Sequence, residues 1–149
     1  MYQKILVALE NGPADQRLLP HIMALARQMG SELILLHVAD GWAARNYEQL
    51  GLADSAEMKA DTAYLDEQAA RLTGEGLRVQ TVLALGNPPN EIIRVAAESG
   101  CDLIALASHG HKLLGDIVHG STIDRVRHNT AIPLLVVSAR KTGGTAPGL

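Results

Sequence analysis

The chain has 149 residues, a formal net charge of -3 and one cysteine, Cys101. With 47% hydrophobic and 19% charged residues, it has the length and composition of one globular domain, which argues against a disordered chain and against a membrane protein. The slight acidity offers no broad positive field for nucleic acid, one cysteine cannot form an internal disulfide, and the N-terminus has no signal-peptide pattern, so we expect a cytoplasmic protein.

Five short apolar runs predict the strands of a parallel sheet. Four of them are nearly unbroken, as in strands that helices cover on both faces, whereas the third run in chain order alternates at first, as an edge strand does. The runs occupy residues 4–9, 33–38, 79–85, 103–107 and 134–137.

Segments with helical spacing separate these strands. In the first segment, apolar residues step by three or four positions from Ala14 to Met29, and Pro20 inside it means that the helix is either kinked or starts late. In the second segment, the residues expected to face the sheet are Met58, Thr62, Leu65, Ala69 and Leu72.

Two further helices are predicted from the residues that open them. Asn87 with two following prolines opens the third helix, and Gly120 with Ser121 opens the fourth. Strands and helices that alternate in this way predict a single doubly wound α/β domain, with a five-stranded parallel sheet and helices on both faces. We assign residues 1–140 to this domain and expect residues 141–149, which contain three glycines and a proline, to be a disordered tail.

A ligand site is expected beyond the carboxyl ends of the first and fourth strands, because such sheets bind ligands where the strand order reverses. The connection after the fourth strand is long enough to be functional. Gly110, Gly120 and Ser121 in it would let backbone amides and a hydroxyl approach a phosphate at a helix N-terminus. The same residues also suit a helix cap and a loop turn without any ligand. The sequence contains neither a Walker A loop nor a Gly-x-Gly-x-x-Gly motif after the first strand.

The residues from Asp102 to Val137 resemble the C-terminal signature of the universal stress protein family. They read D-L-I-A-L-A-S-H-G, nine further residues, G-S-T, and later I-P-L-L-V-V. The first strand, the L-L-H-V of the second strand and the G-N-P before Ile92 also fall where that family has its first two strands and its third helix. The resemblance covers about residues 4–138.

This resemblance implies a strand order of 3-2-1-4-5 and, in the nucleotide-binding branch of the family, ATP or AMP at the switch point. Any Mg²⁺ would arrive with the phosphates of ATP rather than be held in a protein cage. The resemblance places the backbone of Val38 at the adenine edge and Gly110, Gly120 and Ser121 at the phosphates. The complete set of expected ligand-binding residues is Leu9, Glu10, Val38, Ala107, His109, Gly110, Lys112, His119, Gly120, Ser121 and Thr122.

Two positions depart from the family pattern. Ala107 stands where the pattern has its first glycine, and its methyl group could crowd the ribose or the first phosphate. Glu10 stands where relatives have aspartate near the adenine, which keeps the charge but moves the acceptor. Lys112 and His119 are either phosphate neighbours or exposed loop cations. The histidines of this region predict a polar cleft rather than a metal site, because their spacing fixes no tetrahedral set.

The resemblance implies a regulatory protein in stress response, with no catalytic residue and at most weak ATP hydrolysis. We expect a homodimer paired through Leu134–Val137, since an apolar edge strand exposes backbone groups that invite pairing. We also expect a protein partner, which the sequence does not identify. We expect the chain to bind neither nucleic acid nor a membrane. The alternative is the branch of the family that binds no nucleotide and acts as a dimeric protein-interaction module. The replacement of the family glycine by Ala107 is the observation that suggests it.

Overall fold

The structure of the chain, a computed structural model, describes residues 1–40, 52–109 and 114–139. Side chains are described for residues 1–39, 56–109 and 121–139. The predicted tail and the candidate site residues Gly110 and Lys112 lie outside the described residues.

Within the described ranges, strands and helices alternate along the chain, as the sequence predicts. All strand pairs are parallel, and the sheet has the order β3-β2-β1-β4-β5, which confirms the expected doubly wound topology. The elements are β1 (Lys4–Ala8), α1 (Asp15–Met29), β2 (Glu32–Asp40), α2 (Leu52–Gly74), β3 (Arg78–Gly86), α3 (Pro88–Glu98), β4 (Leu103–Ser108), α4 (Leu114–Asn129) and β5 (Leu134–Ser138).

The core lies on both faces of the sheet because side chains along each strand alternate between the two faces. On one face, Val7 and Leu35 pack in a buried cluster with residues of α1 and α2. On the other face, Leu6 and Leu36 pack in a second cluster with residues of α3 and α4. β1 is central and pairs with β2 on one side and β4 on the other, so the strand order reverses beside β1.

The helix boundaries follow local chemistry. α1 runs without interruption through Pro20, which lies on the exposed side of the helix, and it ends at Gly30 with a left-handed φ of 68°. α3 begins at Pro88, and the side chain of Asn87 caps it by accepting a hydrogen bond from the amide of Asn90 at 3.3 Å.

Two predictions about the helices are wrong. Thr62 is exposed, and its neighbour Asp61 is buried against the sheet instead. α4 begins at Leu114 rather than at Gly120. A glycine inside a helix costs only about 1 kcal/mol relative to alanine, so Gly120 weakens the helix without being a start signal.

Candidate functional site

A pocket of about 250 Å³ opens at the carboxyl ends of β1, β2 and β4, between α3 and α4. This is the switch point of the sheet, where ligands of doubly wound domains bind. The lining is mostly apolar, and Glu10 brings a carboxylate to it. The pocket is lined by Ala8, Leu9, Glu10, Leu36, His37, Val38, Pro88, Ile92, Leu106, Ala107, Thr122 and Ile123.

Strand alternation decides which lining residues contribute side chains and which contribute backbone. Leu36, Val38 and Leu106 belong to the cluster on the α3 and α4 face, where the pocket lies. Leu9 and Ala107 belong to the cluster on the opposite face, with α1 and α2. The methyl group of Ala107 therefore packs on the α1 and α2 face of the sheet. The expected crowding of a ligand by this group stays a prediction.

Glu10 and His109 meet beside the pocket. His109 Nε2 lies 2.8 Å from Glu10 Oε1 and 3.0 Å from Oε2. Glu10 follows β1 and His109 follows β4, so the two strands at the switch point each deliver one member of the pair. The Glu10 carboxylate, which the sequence predicts to lie near an adenine, is therefore within hydrogen-bond distance of the His109 imidazole.

A buried carboxylate fixes the turn that carries Glu10. Asp15, only 1% exposed at the start of α1, accepts hydrogen bonds from the amides of Glu10 at 3.0 Å and Asn11 at 2.9 Å. It also accepts one from the hydroxyl of Tyr64 on α2 at 2.6 Å. Burial, with the hydrogen bond and negative charge of Asp15, raises the pKa of Tyr64 well above its usual range, so the phenol keeps its proton.

His37 and Asp61 form a second polar contact with the same turn. His37 Nδ1 lies 2.9 Å from the carbonyl oxygen of Leu9, and His37 Nε2 lies 3.3 Å from Asp61 Oδ2. The other carboxylate oxygen of Asp61 accepts a hydrogen bond from Asn11 Nδ2 at 2.9 Å. The turn is thus bonded to β2 and α2 as well as to α1.

We did not predict Asp15, Asp61 and Tyr64 from the sequence. Charged residues are normally exposed unless they are paired, so a spacing argument assigns them to the solvent side of a helix. A signal for Asp61 does exist, because it stands four residues before buried Leu65 on the same helix face. Asp15 follows Gly12 and Pro13 at a helix start, where an acidic residue is favoured by the helix dipole.

The structure brings together part of the predicted ligand set. Leu9, Glu10, Val38, Ala107 and Thr122 line the pocket, and His109 contacts Glu10. Ser121 is exposed on α4 and is not among the lining residues. His119 and Gly120 lie within α4, and their side-chain surroundings are outside the described residues.

The position of Gly120 corrects one part of the expected phosphate cradle. The amides without an intrahelical partner are those of the first four residues of a helix, here 114–117. Gly120 and Ser121 come after them, so they do not form the N-terminus of α4 as predicted.

The described residues show neither a metal-binding cluster nor a membrane-spanning helix. Among these residues, no three His, Cys, Asp or Glu side chains are grouped so that they could hold a metal ion. None of the helices in the described ranges is long and apolar enough to span a bilayer.

Comparison with known proteins gives the same family from sequence and from structure. The model of the universal stress protein family matches residues 1–138. Universal stress protein MJ0577 of Methanocaldococcus jannaschii is 28% identical over 159 aligned positions, covering 95% of this chain and 98% of that protein. Universal stress protein YxiE of Bacillus subtilis is 26% identical, covering 92% of this chain and 99% of that protein.

Solved structures agree with the sequence match. The structure of MJ0577 has a TM-score of 0.82 and 29% identity, covering 95% of this chain and 99% of that chain. The structure of UspA from Lactobacillus plantarum, at 21% identity, shares the fold with a TM-score of 0.77, covering 91% of this chain and 97% of that chain. The chain belongs to the universal stress protein family.

Proposed function

We propose that the chain is a regulatory protein that binds an adenine nucleotide, ATP or AMP, in the pocket at the carboxyl ends of β1, β2 and β4. The single observation that carries this proposal is the composition of that pocket. The pocket lies at the switch point, its lining is mostly apolar, and Glu10 is the acidic residue among the lining residues. Catalysis is absent or limited to weak ATP hydrolysis.

The pocket suits a flat heteroaromatic base. Apolar side chains from opposite walls, including Val38, Ile92 and Ile123, would pack against the two faces of an adenine ring. Leu36 directs its carbonyl toward β1, where it accepts a hydrogen bond from the amide of Leu9 at 2.7 Å. Because backbone direction repeats every second residue, Val38 also directs its N–H and C=O to the β1 side, beyond the last residue of β1. The edge of adenine carries one donor and one acceptor for such a pair.

Two solved proteins of the same fold support the choice of an adenine nucleotide. One is a universal stress protein in complex with cAMP, with a TM-score of 0.67 and 19% identity. The other, from Archaeoglobus fulgidus, is in complex with dAMP, with a TM-score of 0.67 and 22% identity. At these identities the likeness itself shows the shared fold, so the two complexes support an adenine nucleotide here only together with the pocket of this chain.

The phosphates would extend from the pocket toward α4. Thr122 and Ile123 of α4 line the pocket, so this helix runs beside the proposed ligand. The sequence motif supports phosphate contacts from Gly110, Lys112, His119, Gly120 and Ser121, with Gly120 and Ser121 contributing from within α4 rather than from its N-terminus. Any Mg²⁺ would be bound through the phosphates of ATP.

The competing hypothesis is that the chain binds no nucleotide and acts as a dimeric interaction module. It rests on Ala107, which stands in place of the first glycine of the family pattern. Because the methyl group of Ala107 packs on the α1 face, it takes no volume from the pocket. This direction of the methyl group supports the nucleotide-binding proposal over the competing hypothesis.

Isothermal titration of the purified chain with AMP and with ATP tests the proposal. We expect micromolar or tighter binding of at least one nucleotide. Ile123→Trp, which fills the pocket from α4, should abolish it, whereas Ala97→Trp on the exposed side of α3 should bind like the wild type. Absence of binding at millimolar nucleotide to the folded wild type would refute the proposal.

A further inference from the structure

The turn formed by Leu9, Glu10 and Asn11 is bonded to the protein on the side away from the pocket. Leu9 and Glu10 line the pocket, whereas the imidazole of His37 and the carboxylate of Asp61 contact the turn from the α2 side. This turn therefore contacts the pocket on one side and a residue of α2 on the other.

The hydrogen-bond chemistry of this contact is directional. A carbonyl oxygen accepts only, so His37 Nδ1 carries a hydrogen and donates it to Leu9. Asp61 contacts two partners, with one oxygen at His37 Nε2 and the other accepting from the side-chain amide of Asn11. The side chains of His37 and Asp61 are only 14% and 11% exposed, so water replaces these bonds poorly if one partner is removed.

Packing of α2 does not by itself require a carboxylate at this position. Leu65 and Leu72 of the same helix face are fully or almost fully buried in the cluster with β2. An apolar side chain at position 61 would pack against the sheet without the desolvation cost of a buried charge. What the carboxylate adds is the pair of polar contacts to His37 and to the turn.

We propose that Asp61 and His37 are positioning residues for the nucleotide, which hold the Leu9–Asn11 turn so that Leu9 and Glu10 face the pocket in a fixed arrangement. The proposal rests on the proposed function, since it names what tunes the same site. It also connects α2 to ligand affinity, although neither Asp61 nor any other described residue of α2 lines the pocket.

Three variants separate positioning from packing. Asp61→Ala removes both contacts, whereas Asp61→Asn keeps an acceptor for Asn11 and places an amide donor, instead of a carboxylate oxygen, at His37 Nε2. Asn11→Gly removes only the bond between the turn and Asp61, and glycine suits the left-handed φ of 59° at that position. Asp66→Ala is the matched control, because Asp66 is an exposed acidic residue of the same helix.

Two measurements are made on each variant: nucleotide affinity by titration, and hydrogen exchange of the Glu10 and Asn11 amides by NMR without nucleotide. We expect Asp61→Ala and Asn11→Gly to bind about threefold to tenfold more weakly and to exchange these amides faster by a similar factor, as the loss of one hydrogen bond predicts. Asp61→Asn should regain wild-type values within about twofold, the spread expected when residue 61 still has a polar partner in Asn11 and in His37. Asp66→Ala should match the wild type.

The outcomes are distinguishable from those of the proposed function. Wild-type affinity in both Asp61→Ala and Asn11→Gly would overturn the positioning role, as would weaker binding with unchanged exchange of the two amides. Failure of Asp61→Asn to rescue would overturn it as well. If the wild type binds no nucleotide, the proposed function fails, and the exchange rates still decide whether Asp61 holds the turn.

Discussion

At the scale of single residues, the direction of a side chain decides what it contributes to the pocket. Ala107 and Leu106 are neighbours on β4, yet Leu106 packs on the α3 and α4 face and Ala107 on the α1 face. Only the backbone of Ala107 is available to a ligand in the pocket. A departure from a family motif at such a position changes the core rather than the site.

Ala107→Gly tests this assignment. We expect nucleotide affinity to stay within about twofold of the wild type, because hydrogen bonds and contacts in the pocket are unchanged. The free energy of unfolding should fall by about 1–2 kcal/mol, because a buried methyl group is lost and glycine is more flexible when unfolded. Titration with AMP and urea denaturation measure the two quantities.

Ala105→Gly is the matched control, since Ala105 is buried on the same face of β4 and does not line the pocket. It should lose similar stability and bind AMP unchanged. A gain in affinity of tenfold or more in Ala107→Gly alone would mean that the methyl group obstructs the ligand after all.

At the scale of elements, the strands could be predicted because buried parallel strands produce short, nearly unbroken apolar runs, whereas their order in the sheet was implied by the resemblance to the universal stress protein family. The observed strands differ from these runs by two residues at most at either end. β3, the run that alternates, does lie at an edge of the sheet. Apolar runs locate these strands because burial on both faces of the sheet requires an apolar residue at nearly every position.

The site was less predictable, because polar partners come together through tertiary contacts between distant segments. His37 and Asp61 are 24 residues apart in sequence, and Glu10 and His109 are 99 apart. One local signal, the spacing of four residues between Asp61 and Leu65, indicates the burial of Asp61, but Thr62 fits the apolar stripe equally well. The start of α4 was placed six residues late because glycine is common at helix ends but is also tolerated inside helices.

The beginnings of β1 and β4 are joined by Asp102, which has a consequence for acid stability. Its carboxylate accepts hydrogen bonds from the amides of Gln3 at 2.9 Å and Lys4 at 3.1 Å. Partial burial tends to raise the pKa of Asp102, but the amides of Lys4 and Gln3 outweigh burial and hold the pKa below its usual value of 3.8. The ionised carboxylate therefore stabilises the folded state at neutral pH, and this contribution is lost as the pH falls through the folded-state pKa.

Asp102→Asn should lower the free energy of unfolding by about 1 kcal/mol at neutral pH, because an amide cannot accept both hydrogen bonds. The difference from the wild type should shrink as the pH falls below 3.8, where the carboxyl group of the wild type also becomes protonated. Urea denaturation at a series of pH values measures this difference. A difference that stays constant across the acid range would contradict the role of the ionised form.

At the scale of the whole molecule, the two sheet edges differ in what they offer to a second copy. β5 is short and apolar, and Val136 in its middle is 42% exposed. β3, at the opposite edge, exposes the side chain of Leu85 by 45%. We propose that β5 pairs with β5 of a second copy in a two-fold symmetric homodimer, since this pairing would cover the apolar β5 edge of each copy.

Val136→Lys should convert this dimer to a monomer, because a charged side chain would be buried at the paired edge. Sedimentation velocity measures the assembly state. Leu85→Lys at the β3 edge is the control and should leave the dimer intact. A dimer that persists in Val136→Lys, or one that is lost in Leu85→Lys, would place the interface elsewhere.

The proposed function and the positioning role of Asp61 both require that the switch-point pocket binds an adenine nucleotide. Amide chemical-shift mapping of the isotope-labelled chain during titration with AMP tests it most directly, because one experiment reports both binding and location. We predict saturable shifts concentrated at Leu9, Glu10, Val38, Ala107 and Thr122, with the amides of β5 unaffected. Shifts that are absent at millimolar AMP, or that gather away from these positions, would contradict the claim.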